Sequence, residues 1–125
     1  MKQLFVPFDI GISLKRKGFN EKCFGYFNED ENFEIIFSFP PYELKIPELC
    51  MAPTYQQVID WFEKNYKIKI TLEHQPMTGM WFSYIWRYIE PNNIGKWERM
   101  NIVCSFQNKN DALNESFKNV LKNYI

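Results

Sequence analysis

A chain of 125 residues has room for one ordinary domain with its own core and too little for two, so a single compact domain over residues 1–125 is expected. Its 15 acidic and 15 basic residues cancel, which argues against a general nucleic-acid or anionic-membrane binder with a basic surplus. Aromatic residues make up 18% of the chain, and large rings are first of all efficient filling for a small core.

The first predicted helix covers residues 9–17, with Asp9 as its cap. Gly18 supplies the left-handed residue past its end, and Phe19 folds back toward Leu14 as in a Schellman motif. Lys15, Arg16 and Lys17 form the one dense basic run, and a place in the last helical turn complements the helix dipole. Gly11 weakens this helix. Residues 23–27 and 33–39 read as strands joined by the polar turn 28–32, a hairpin. Four prolines punctuate residues 40–53, predicting an extended connector anchored by Leu44, Ile46, Leu49 and Met51.

The clearest element begins at Thr54. Its hydroxyl and the Gln57 amide have the spacing of a capping box, and Pro53 ends the preceding segment. Tyr55, Val58, Ile59, Phe62 and Tyr66 then recur at steps of three and four, an apolar stripe with Trp61 at its edge. Ile68, Ile70 and Leu72 alternate with Lys69, Thr71 and Glu73, the pattern of a strand with one face buried. Pro76, Thr78 and Gly79 mark a turn, residues 80–89 and 97–106 two further strands, and residues 91–95 the loop between them. A last helix starts near Asn110, capped by Asn108 or Asn110, with Leu113, Phe117, Val120, Leu121 and Tyr124 as its stripe. The predicted fold class is α+β: an antiparallel sheet of about five strands with helices on one face, in the order α-β-β-α-β-β-β-α.

Pairing Ile89 with Trp97 across the loop sets Tyr84 opposite Ile102, Trp86 opposite Met100 and Phe82 opposite Cys104. The even positions of 80–89 then form an apolar ladder for helices to cover. The odd face carries Trp81, Arg87, Trp97 and Arg99, with the two arginines opposed. Facing like charges are unfavourable unless an anion lies between them, so these four residues are the candidate binding site. They suit a phosphate, a carboxylate or a partner's acidic loop, with the indoles as stacking platforms. The plainer alternative has the arginines lying over rings, or pairing with Glu73 or Glu98.

Three cysteines, Cys23, Cys50 and Cys104, are odd in number and widely spaced, which argues against a disulfide framework and against a zinc site. His74 is the one histidine and has no companions for a relay or metal cluster, so a structural role on the Ile68–Leu72 side is expected. No glycine-rich phosphate loop occurs, and catalysis, cofactor and metal are not expected. The opening apolar run is too short for a signal peptide and no stretch spans a bilayer, so a cytoplasmic protein without a membrane partner is expected.

Residues 54–125 have the α-β-β-β-α order of a double-stranded-RNA-binding domain. That family grips phosphates with basic residues at the start of its last helix. Here the stretch is Gln107-Asn108-Lys109-Asn110-Asp111, so nucleic acid is the second reading.

Ala52-Pro53-Thr54-Tyr55-Gln56-Gln57-Val58-Ile59-Asp60-Trp61-Phe62 resembles a signature of small uncharacterised proteins of Bacteroides-type bacteria, their prophages and mobile elements. Residues 14–19, 23–26 and 111–114 add matching pieces at the right spacing. The resemblance implies an accessory protein of a phage or mobile element and carries over no catalytic residue. The leading expectation is a non-catalytic protein that binds a protein partner or itself.

Overall fold

The computed structural model describes residues 2–35, 50–89 and 96–125, the side chains of 103–106 excepted. The chain divides into two compact units, Met1–Gln57 and Val58–Ile125. The fold is α+β and its strands pair antiparallel, as expected, but they form two three-stranded sheets instead of one sheet of about five.

In the first unit a 3-10 turn at Lys2–Leu4 precedes α1 (Phe8–Arg16), β1 (Gly25–Phe27), β2 (Phe33–Ile35) and β3 (Cys50–Ala52). Helix α1 starts two residues earlier than its sequence predicts, because Pro7 and not Asp9 is its cap. Pro7, in extended backbone, stands at the N-cap without a side-chain bond, and its carbonyl accepts from the Gly11 N–H at 3.0 Å. Asp9 falls in the first turn, where its carboxylate meets the positive end of the helix. At the other end Phe19 N–H donates to the Leu14 carbonyl at 3.0 Å and Gly18 N–H to Lys15 at 3.1 Å, the two bonds of a Schellman motif, with Gly18 at φ +96°.

Gly11 also has a packing reason. A Cβ there would stand 3.2 Å from the Phe27 ring and 3.4 Å from Cys50 Sγ, so the bare backbone lets α1 lie against β1 and β3. The β1–β2 hairpin is as expected, its turn held by Asn28 Oδ1 accepting from Asp30 and Asn32 N–H. The expected connector ends differently: Cys50–Ala52 is a strand on the far side of β1, so the sheet order is β2-β1-β3. Three residues are too few to show a period, and pairing with a distant strand decides their state. Leu44, Ile46 and Leu49 lie outside the described residues, as do 36–39 of the second predicted strand. Phe5, Phe27, Cys50 and Ala52 form one core cluster of this unit, with Phe8, Ile12 and Phe33 packed on it.

Helix α2 (Tyr55–Tyr66) opens on the predicted capping box. Thr54 N–H donates to Gln57 Oε1 at 2.9 Å, and Gln57 N–H to Thr54 Oγ1 at 3.1 Å. The Gln57 side chain is used twice, since its Nε2 also donates to the Lys22 carbonyl at 2.9 Å. Trp61, expected at the stripe's edge, is buried with Val58 and Phe62, and its ring meets Tyr66 edge-on. The helix ends at Lys67, which adopts φ +55° where glycine is usual.

The second unit continues with β4 (Ile68–Gln75), β5 (Met80–Ile89), β6 (Lys96–Phe106) and α3 (Lys109–Asn123), the strands in the order β4-β5-β6. Asn108 caps α3, its side chain accepting from Asn110 N–H at 2.8 Å. One side of the sheet is packed under α3. Ser116 Oγ donates to Ser83 Oγ at 2.6 Å, both hydroxyls fully buried, and Ile85, Phe117 and Val120 close the core around them. Phe62 of α2 meets Phe117 of α3 edge to face, ring centroids 5.6 Å apart.

Candidate functional site

The register of the second sheet decides what each face carries. Along β4 and β5, Ile68 opposes Arg87, Ile70 opposes Ile85, Leu72 opposes Ser83 and His74 opposes Trp81. Directly opposed residues share a face, and buried Ser83 and Ile85 identify this one as the face beneath α3. The sequence assigns that side to the even positions of β5; the structure corrects it to the odd ones. The physical reason is bulk and polarity. Small Ser83 lets α3 approach closely, whereas Tyr84 and Trp86 carry polar tips that a helix stripe would leave unpaired.

Those tips are satisfied within the other face. Trp86 Nε1 donates to Thr71 Oγ1 at 2.9 Å, and Tyr84 Oη donates to Glu73 Oε2 at 2.8 Å. Both rings are thereby held on the open side of the sheet, their centroids 6.3 Å apart. Tyr88 follows on the same face and meets Trp97 of β6 edge-on at 5.3 Å.

The β5–β6 pairing holds the expected Tyr84–Ile102 match and then slips. Between Ile85 and Trp86 the ladder passes from Asn101 to Arg99, so Met100 is the extra residue of a β-bulge. Beyond it Trp86 opposes Arg99, Arg87 opposes Glu98 and Tyr88 opposes Trp97. The predicted opposition of Arg87 and Arg99 is therefore absent. A second irregularity lies between Trp81 and Ser83, and Cys104, the expected partner of Phe82, has its side chain outside the described residues.

The four predicted site residues thus separate into two pairs. Trp81 and Arg87 are on the α3 side: Trp81 stacks on His74 at 4.5 Å, and the Arg87 guanidinium lies 5.7 Å from the Tyr124 ring centroid. Trp97 and Arg99 are on the open side. There Arg99 lies over Tyr84 at 6.0 Å, Lys69 over Trp97 at 5.4 Å and Lys67 over Tyr88 at 5.8 Å. A shallow depression of about 440 Å³ runs between Thr71, Glu73, Tyr84, Trp86 and Arg99.

Tyr84, Trp86, Tyr88, Lys67 and Lys69 are absent from the sequence-derived site. The alternation of β4 could have revealed them. Carrying its inward Ile70 across the short 75–80 turn puts Ile85 inward and Tyr84 and Trp86 outward.

The described residues hold little for chemistry. Burial pushes the Cys23 thiol from its ordinary 9.0 up to about 12, helped by Glu21 and Cys50 and opposed by a hydrogen bond with Gln57. Burial also raises Cys50, partly offset by Lys15. Both are poor nucleophiles in that state. Among the described residues no group of three acidic, histidine or cysteine side chains could hold a metal ion, and no helix is long and apolar enough to cross a membrane. No family model matches the chain, and neither a curated protein nor a solved structure does.

Proposed function

We propose that this protein is a non-catalytic nucleic-acid-binding protein that works through the open face of the β4-β5-β6 sheet. One observation carries the reading: three cations, Lys67, Lys69 and Arg99, each lie over an aromatic ring on the sheet face turned away from α3. Nucleic acids offer what that pairing recognises, phosphates for the cations and base planes for the rings. The neutral net charge is an average over the whole chain. On this face the acid within the depression, Glu73, already accepts from Tyr84. An accessory role in a prophage or other mobile element, the setting its sequence resemblance implies, is compatible with such an activity.

A protein partner or self-association is the second reading, favoured by Met100 and Ile102, which are 36% and 41% exposed on edge strand β6. Gel shifts of the full chain with a mixed pool of single-stranded and duplex DNA and RNA separate the two. Binding should weaken steeply between about 50 mM and about 200 mM salt, because phosphate contacts release counterions. No shift with any nucleic acid at the lower salt would sink the proposal, and a concentration-dependent dimer seen by sedimentation would then favour the second reading.

A further inference from the structure

Resting on that reading, we infer that the ligand is single-stranded, with unstacked bases seated on the rings of the open face and phosphates on its cations. The spacing of the rings supplies the reason. Tyr84, Trp86 and Tyr88 are alternate residues of one strand, about 6.8 Å apart along it. Successive bases in one strand of a duplex rise by about 3.4 Å, so a stacked helix cannot seat neighbouring bases on neighbouring rings. A splayed single strand can, and Trp97 widens the last station by its contact with Tyr88.

The rings are prepared for this use. The polar atoms of Trp86 and Tyr84 are engaged by Thr71 and Glu73, which fixes the rings beside the depression they line. Binding is then an exchange: a base takes the ring from the cation, and the cation moves onto the adjoining phosphate. The features that would grip a duplex are not developed. At the start of α3 the stretch 107–111 carries one lysine and one aspartate, and the Asn108 side chain is spent on capping.

The test uses the full chain with labelled twelve-nucleotide oligo-dT and oligo-rU and an RNA duplex of equal length, read by anisotropy and by tryptophan quenching. The single strands should bind with quenching, and the duplex more weakly. With three phosphates neutralised, log K against log salt should fall with a slope of about −2. Lys69→Gln and Arg99→Gln should each reduce that slope by about 0.7. Trp97→Ala should weaken binding roughly tenfold to a hundredfold while leaving the circular dichroism spectrum intact. Duplex binding as tight as single-strand binding would overturn this inference and leave the proposed function standing. Failure of all three probes would overturn both. Single-strand binding that all three variants leave unchanged would refute this face as the site.

Discussion

The buried hydroxyl pair between Ser83 and Ser116 offers a quantitative test of how α3 is fixed to the sheet. The two oxygens are 2.6 Å apart and neither side chain is exposed. Replacing one serine by alanine removes a net stabilisation of about 1 kcal/mol and strands the other hydroxyl, for a total of about 1–3 kcal/mol. The two singles should differ. After Ser83→Ala, the Ser116 hydroxyl can turn back to a carbonyl one helical turn earlier. After Ser116→Ala, Ser83 has no such recourse on a strand. We therefore expect Ser83→Ala to cost about 1 kcal/mol and Ser116→Ala about 2 kcal/mol. The double variant strands nothing and should cost no more than about 1.5 kcal/mol, a coupling of at least about 1.5 kcal/mol. Urea unfolding followed by tryptophan fluorescence measures this, because all four tryptophans lie in Val58–Ile125, the unit that contains both serines. A double variant costing the sum of the singles to within about 0.5 kcal/mol would refute the reasoning.

Further outcomes follow from other contacts. Thr54→Ala removes one half of the capping box and should cost about 1 kcal/mol by the same titration, whereas Thr54→Ser should be nearly silent. Cys23 links stability to alkaline pH. Below pH 9 both states hold the thiol proton; above it the unfolded chain releases the proton while the folded thiol keeps it up to about pH 12. Stability should thus fall through that window, by up to about 1.4 kcal/mol per pH unit, and the difference between wild type and Cys23→Ala isolates the effect from other groups. Arg87→Gln and Arg99→Gln should each lose about 0.5–1 kcal/mol of stability with their ring contacts, but only Arg99→Gln should lower oligo-dT affinity. Equal effects of the two substitutions on affinity would contradict the division between the faces.

Features set by neighbours in sequence were legible beforehand. The Thr54–Gln57 box, the Schellman end at Gly18 and the Asn108 cap each depend on residues within a few positions of one another, so side-chain type and spacing suffice. The alternation of Ile68, Ile70 and Leu72 likewise gave the inward side of β4. What escaped depends on pairing at a distance. Strand β3 exists because β1 offers it an edge, and Pro7 starts α1 without a side-chain cap. The sequence places Trp97 and Arg99 on one face with Arg87, and the pairing puts them on the other. An unbroken ladder from Tyr84–Ile102 brings them to Arg87, and no residue type announces that Met100 is skipped.

That skipped residue has a genetic consequence. Strand β6 is continuous on both sides of Met100, and removing that residue would close the ladder with its pairs as they stand, Arg99 opposite Trp86 and Trp97 opposite Tyr88. Both side chains would then still lie on the face turned away from α3. Exchanging Met100 for another amino acid leaves the count, and so the aim, unchanged. Loss of that single codon should therefore be tolerated as substitution there is, keeping a folded domain with Trp97 and Arg99 still beside Tyr88 and Trp86.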